Sequence, residues 1–519
     1  VLRSCGLAVL QSCSLAVLRS CSLAVLQSCG LAVLRSCCPA VLQFCCHAMT
    51  IIFSAFKFCL LHYPLVRILD ELHFLKIPIM KEEFLHWLWK NLFFEGGSLC
   101  DRDAGPIEVI APGEYNRDSG PDFFNTRLVI GGTEWAGNTE IHVNASDWYR
   151  HGHHTDHAYD NVILHLVYNE DADVYSASGR RLITARPVFD TVLWDNYLDF
   201  INNTSPLPCS GLIGMTDGFR IKHWLWSVAV ERLERKSNEI RDMLSQTGND
   251  WEETLYRLVS RHFGFRVNTD PFEMLAKRLP LKIIRKHSDN LLQVEALLFG
   301  TAGLLDEALF REAVSDNYYL LLSREYRVLR TKYSLQPVDG WLWKFHRLRP
   351  ANFPTVRLSQ LAALLAHSDG LFSRVLGFSD RESLRYLLSV SASPYWNSHY
   401  QFGREAPSVA GRAGKQSADL LIINAIVPML FVYGRVRQQQ EWCDRAVEIL
   451  DSLPPEENSV VTDFAQAGLK PESAFASQAL LELRNLRCRY HRCLDCSIGS
   501  SLISMGHKIR RSDSLFLEP

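Results

Sequence analysis

The sequence predicts an α+β chain, a mixed-sheet domain followed by an all-helical one, and three observations carry that prediction. Between residues 107 and 168 the apolar residues alternate or run continuously, as in half-buried and fully buried strands. From Asp217 onward the spacing becomes that of helices. Between the two lies Asn202–Pro208 (NNTSPLP), polar and proline-bearing, which reads as a linker. The predicted organisation is an extension over 1–79, an α/β domain over 80–205, a helical domain over 206–498 and a tail over 499–519.

Residues 1–48 are six copies of an eight-residue unit, VLRSC, VLQSC or VLQFC at its start, with Arg3, Gln11, Arg19, Gln27, Arg35 and Gln43 alternating at the third position. Such a period turns a helix by roughly 80° per copy and builds no constant apolar stripe. Each exchange is one base change away from its alternative, so the simplest account is a translated tandem nucleotide repeat, with the true start at Met80 and residues 1–79 disordered or absent. Arginine recurs too often for a membrane span, and Lys57 and His62 interrupt the most apolar stretch, Met49–Val66. No membrane association is expected.

Lys81–Phe94 (KEEFLHWLWKNLFF) is helix-like and Ile107–Ala111 a short strand. Phe123–Ile130 and Trp135–Val143 are strands joined as a hairpin. On the second of these, Glu140 and His142 share one face and Ile141 and Val143 the other. A Gly131-Gly132 loop would pair Asp122 with Ile141 and turn it away; a three-residue Gly131-Gly132-Thr133 loop would pair it with His142, and this is the predicted arrangement. A polar segment with a short helix follows, then Asn161–Tyr168 (NVILHLVY), a strand buried on both faces, and a strand pair from Val174 to Val188 around Ser178-Gly179. Beyond Asp217, helices are predicted over 219–244, 251–263, 270–279, 291–299, 318–332 and 356–366. The nearly all-apolar Ala418–Tyr433 is read as a core helix.

The order helix, strand, strand, strand, short helix, strand, with Gly120-Pro121-Asp122 opening the second strand and Glu140-Ile141-His142 on the third, resembles the PD-(D/E)XK (restriction-endonuclease-like) nuclease core over residues 80–175. One position departs: His142 stands where that superfamily usually has lysine. From Met80 onward the segments GPDFFNTRL, WAGNTEIHVNASDWYRHGHHTDHAYDNVILHLVY, RLRPANFPTVRLSQLA and YWNSHYQFG resemble the bacterial family catalogued as domain of unknown function 2851, which implies no activity.

Asp122, Glu140 and the Ile141 carbonyl offer the oxygen ligands that Mg²⁺ or Mn²⁺ prefers, with His142 placed to orient or deprotonate a water. The plainer reading is a Gly-Pro-Asp turn beside a solvated glutamate. His151, His153, His154 and His157 form a dense imidazole cluster around Asp156. On a helix, His153 and His157 would be one turn apart and would clip Zn²⁺, but a polar helix start whose histidines cap, pair with Asp156 or contact phosphate is the favoured reading. His165, inside an apolar strand, is expected to be a hydrogen-bonded core residue.

Cys488-x4-Cys493-x2-Cys496, with His491 between, has ligand spacing for zinc or an iron–sulfur cluster, and a fourth ligand would come from Cys443, His491 or His507. Arg347, Arg349 and Arg357 interleave with aromatic residues as phosphate- and base-contacting surfaces do; a buried turn stapled by arginine is equally compatible.

Composition narrows the class. The 519-residue chain is 47% hydrophobic and 22% charged with a net charge of -2, so no global basic field favours indiscriminate nucleic-acid binding. Of 15 cysteines, nine lie in the first 59 residues, and the remainder reads as a reduced, cytoplasmic protein. The leading expectation is a metal-dependent nuclease acting on DNA or RNA through Asp122, Glu140 and His142. The alternatives are a catalytically inactive nuclease-fold scaffold and a Zn-dependent hydrolase built on the His151–His157 cluster.

Overall fold

Alternating and continuous apolar runs assemble into one mixed seven-stranded sheet. In the computed structural model, which describes residues 80–506 apart from 96–98, 311–314, 368–369, 379, 407–408 and 410, helix α1 (Glu82–Asn91) precedes the strands. Expectations for residues 1–79 and for His507 lie outside the described residues. The strands are β1 (Cys100–Asp101), β2 (Gly105–Ala111), β3 (Glu114–Tyr115), β4 (Phe123–Ile130), β5 (Thr133–Asn144), β6 (Val162–Asn169) and β7 (Thr184–Ala185), in spatial order β1-β2-β4-β5-β6-β7 with β3 also on β4. β2, β4 and β5 pair antiparallel, whereas β5, β6 and β7 are parallel. The parallel step needs a crossover, supplied by the short helix α2 (Asp147–Arg150) and two 3-10 turns, His153–Thr155 and His157–Tyr159.

The hairpin loop differs from expectation and yet delivers Asp122 to the expected side. Ile130 pairs with Thr133, so the loop is the two residues Gly131-Gly132, both at positive φ (57° and 78°), which glycine adopts without a Cβ penalty. Farther along, Thr126 faces Gly137 but Phe123 faces Thr139, so two residues of β4 oppose one of β5. This bulge, with Asn125 in the left-handed region at φ 57°, shifts the register by one and carries Asp122 round beside Glu140.

Two cores flank the sheet. Ile141, Leu164 and Leu166 join Phe123, α1 and the helical region in one continuous apolar cluster. On the opposite side Val162, Val167, Trp148, Tyr159, Val174 and Leu182 form a smaller one. Each fully buried large apolar side chain contributes roughly 1.5–3 kcal/mol. Six consecutive residues of β6, Val162–Val167, are buried, as the apolar run predicted. The expected strand pair between Val174 and Val188 reduces to one bridge, Tyr175 with Arg181, because the chain then leaves its partner to add β7 beside β6. Asn202–Pro208 is a folded turn, with Asn203 Nδ2 donating to the Pro208 carbonyl and Leu207 buried in the main core.

Helices α3 (Thr191–Ile201) and α4 (Gly218–Gln246) follow, the latter started by the Asp217 carboxylate accepting from Arg220 N–H. Further helices at Trp251–Phe263, Thr269–Arg278, Leu291–Thr301, Asn317–Tyr333 and Pro354–Ala366 match the predicted spans closely. The apolar segment predicted as a core helix is Lys415–Leu421, a π-turn at Ile422–Ile426, and Val427–Arg437; it is long and apolar enough to cross a membrane, and 72% of its most apolar window is buried inside the protein. The predicted tail begins as a helix, Ser497–Ile503. Glu482 accepts from Arg232 Nη1 at 2.7 Å and Arg235 Nε at 2.6 Å, stapling Ala474–Leu486 onto α4.

Candidate metal centre

β5 lays out the first two groups by alternation, and local turns bring the others to them. Asp122 N–H donates to Glu140 Oε2 at 3.1 Å, and Ile141 N–H donates to Asp122 Oδ2 at 2.9 Å, so the two carboxylates are locked side by side. β5 ends where Asp147 Oδ2 accepts from the Asn144 N–H at 3.2 Å, opening α2. Trp148, fully buried, donates its indole N–H to the Tyr175 carbonyl and holds the crossover on the sheet. Gly152, at φ 81°, makes the reversal that sends His153 back toward His142.

The outcome is a convergence of imidazoles. His142 Nε2 lies 3.0 Å from His151 Nδ1, and His142 Nδ1 lies 2.8 Å from His165 Nε2. One ligand atom each of His142, His151 and His153 lie within 4.8 Å of one another. Glu140 Oε1 stands 3.2 Å from His153 Nε2 and 3.6 Å from His142 Nε2. Ligands held about 2.0–2.1 Å from one tetrahedral ion are separated from each other by roughly 3.4 Å, so these spacings fit a shared cation. His142 and Glu140 are buried, while His151 is exposed and opens the cluster to solvent.

Electrostatics favour ligand-ready imidazoles. Burial, reinforced by His165, His153, His151 and His86, pushes His142 down to about 2; burial with His153 pushes His165 down to about 3. Both are neutral near pH 7, the state that binds metal. A neutral His142 has one ring proton. Given to His165 Nε2 through Nδ1, it leaves the Nε2 lone pair facing His151, a tautomer assigned from the hydrogen-bond network. Glu140 is raised, first by burial and then by Asp122, with the His153 hydrogen bond opposing.

Asp122, Glu140, His142, His151 and His153 therefore meet. His154 instead rests against Tyr149, and His157 lies on the exterior, paired with Asp160 at 2.7 Å. The His153/His157 clip does not form because the segment folds as 3-10 turns broken at Asp156, not as one helix. His165 is the hydrogen-bonded core residue expected. One participant was missed. His86 on α1 places Nε2 3.2 Å from Asp122 Oδ2, within ion-pair distance but poorly aligned for a hydrogen bond. Burial lowers its pKa, yet Asp122, Glu82 and Glu140 outweigh burial and raise it. The signal was the Glu82/His86 pair at helical spacing in KEEFLHWLWK.

Arg347 and Arg349 are exposed in a different part of the molecule. Arg357 is buried, bonded to Gln360, Asn352 and Ser417 and stacked 4.2 Å from the Phe265 ring, so it staples a turn and is withdrawn from any substrate surface. His491 Nδ1 meets the Phe200 carbonyl at 3.2 Å, and Cys443 Sγ lies against the Phe431 carbonyl.

Comparison with known proteins adds one match. The family model described as "Protein of unknown function (DUF2851)" covers residues 82–459. No curated protein and no solved structure matches the chain.

Proposed function

The chain belongs to the DUF2851 family, and from that premise we propose that it is a metal-dependent hydrolase of phosphodiesters, with His142, His151, His153 and Glu140 as its metal ligands. The observation that carries the reading is the convergence of three imidazoles on the Glu140 carboxylate. Three nitrogens and one oxygen suit Zn²⁺ better than Mg²⁺ or Mn²⁺, which prefer oxygen ligands.

Such an ion supplies a more acidic water and charge stabilisation at a phosphate. The residues supply the remainder. His165 fixes the His142 tautomer, as partners of metal-bound histidines do. Asp122, tethered by Ile141 N–H and beside His86, stands next to Glu140 as the group to orient an attacking water or accept its proton. Exposed His151 marks the side from which a substrate approaches. The phosphodiester assignment rests on the PD-(D/E)XK-like order of elements, with Asp122 just before β4 and Glu140 on the antiparallel β5, followed by the parallel β6. Histidine in the usual lysine position then trades a cation for a ligand.

Metal analysis and a nuclease assay on the full chain test this together. One equivalent of metal is expected to vanish in His151→Ala and His153→Ala, and cleavage of single- or double-stranded DNA or RNA to vanish in Glu140→Ala. Failure to retain metal at these residues refutes the centre. The burial of His142 and Glu140 favours a second reading, a closed structural ion in a binding scaffold. Metal bound in the wild type without cleavage of any of these substrates decides for it.

A further inference from the structure

The cysteines of the carboxy-terminal turn stand apart from the histidine centre, and the fold brings a fourth cysteine to them from far upstream. Cys488, Cys493 and Cys496 occupy one tight loop. A 3-10 turn starts at Cys488, His491 at φ 54° reverses the chain, and successive bonds run from His491 N–H to the Cys488 carbonyl (3.1 Å), Cys493 N–H to the His491 carbonyl (2.8 Å) and Cys496 N–H to the Cys493 carbonyl (3.3 Å). All three side chains are buried in the main core. The helix Ser497–Ile503 then passes so close that a Cβ at Gly499 would lie 2.4 Å from the Cys493 carbonyl oxygen.

Cys209 lies between two anchors of this same loop. On one side α3 sends the Phe200 carbonyl to His491 and Asn196 Nδ2 to the Ile503 and Met505 carbonyls, each at 3.3 Å. On the other side the 3-10 turn Ile213–Met215 packs on Ser497–Ile503. Between them Cys209 packs against the same apolar cluster that contains Cys488, Cys493 and Cys496, its carbonyl accepting from Leu212 N–H at 3.0 Å just before that 3-10 turn. Burial, Cys496 and Cys209 together push the Cys488 thiol up.

We propose that Cys209, Cys488, Cys493 and Cys496 form a four-thiolate centre for a thiophilic metal, either one zinc ion or an iron–sulfur cluster, that clamps the segment after the sheet to the carboxy-terminal turn. The donors around them point to an anionic centre. Trp224 Nε1, Arg484 Nη1, and Arg487 Nε and Nη1 are buried without hydrogen-bond partners among the described residues. Arg484 favours the charged form of Cys488, while the backbone N–H groups of Gly499 and Ile498, the Trp224 indole and Arg487 favour that of Cys496. Arg487 Nη2 already meets Glu231 at 2.8 Å and its guanidinium lies 5.2 Å from the Trp224 ring, so what remains unsatisfied is its Nε and Nη1 together with Arg484 Nη1 and Trp224 Nε1. Four thiolates around a divalent ion, with a net charge of about -2, give these donors acceptors. The spacing of four and two residues between cysteines, completed by a distant fourth, is compatible with either kind of centre.

The test uses the full chain, purified without oxygen. Metal and acid-labile sulfide are measured, and wild-type cysteines are alkylated before and after metal removal and located by mass spectrometry. Iron with sulfide and visible absorption identifies a cluster; one zinc without sulfide identifies the ion. In either case Cys209, Cys488, Cys493 and Cys496 are expected to become reactive together when metal leaves. Cys209→Ser and Cys493→Ser should each abolish that metal while the equivalent removed by His151→Ala remains. Absence of any cysteine-dependent metal overturns the proposal. So does labelling of Cys209 out of step with the other three, a result read on unmodified protein and independent of whether a variant folds.

Discussion

Replacing His165 with leucine removes the partner of His142 Nδ1 without touching a proposed metal ligand. His165 is fully buried, its Nε2 sits 2.8 Å from His142, and its own Nδ1 has no hydrogen-bond partner, so the ring's polarity serves one contact. Leucine is close in volume and removes the His165 orphan but strands the buried His142 Nδ1–H, so the metal-free protein should lose about 1–3 kcal/mol. Loss of such an outer partner typically weakens metal affinity ten- to a hundredfold, about 1.4–2.7 kcal/mol. His165→Gln, whose amide oxygen accepts from His142 Nδ1, should recover part of that loss. Competition against a chelator, following the equivalent that His151→Ala removes, gives the affinities. If His165→Leu binds as tightly as wild type, His142 is not oriented by His165 and the tautomer argument fails.

Glu482 supplies a pH test. Burial disfavours its charge, but Arg235 and Arg232 outweigh burial and hold the carboxyl below its usual range. A depressed folded pKa stabilises above the unfolded value and loses that effect as pH falls through the folded one. Glu482→Gln should therefore cost on the order of 3 kcal/mol at pH 7 in denaturant unfolding, with the gap to wild type narrowing below about pH 4; a gap independent of pH refutes the assignment. At Gly137 a Cβ would come within 2.5 Å of Ile163 Cγ2 and 2.7 Å of the Asn161 carbonyl oxygen, so Gly137→Ala should destabilise by about 1–3 kcal/mol, read as a lower melting temperature. Arg357→Lys should cost roughly 1–3 kcal/mol, because a lysine cannot meet Gln360, Asn352 and Ser417 together, while leaving nucleic-acid binding unchanged in a filter assay.

Where periodicity speaks, the sequence was legible. β6 shows its burial in VILHLVY, and Trp251–Phe263 ends where its apolar spacing ends. Glu140 and His142 were readable as neighbours because strand alternation is local. Asp122 was placed on the right side by the wrong loop: a glycine pair announces a turn, but nothing in PDFFNTRL announces a bulge, whose cause is the fit of β4 to β5 as well as Asn125 itself. The imidazole cluster was visible in composition and hidden in geometry. Spacing suggested His153 with His157, whereas the left-handed Gly152 and the break at Asp156 select His151 and His153. His86 was missed because it reaches Asp122 across the tertiary fold, and separation along a chain carries no record of that.

The Trp87 indole of α1 donates to Ser500 Oγ at 2.8 Å across 413 positions of sequence. Ribosomal synthesis is directional, so the helix that precedes the sheet emerges long before the helix that receives it is made. Until then its tryptophans must wait in a partly assembled intermediate, exposed to chaperones or to one another. A chain stopped near residue 205 would keep every histidine of the proposed centre and still lack this closing contact. Helix α1, which brings His86 to Asp122, thus packs against residues at the far end of the described chain, and nascent chains of increasing length should acquire protease resistance late and in one step.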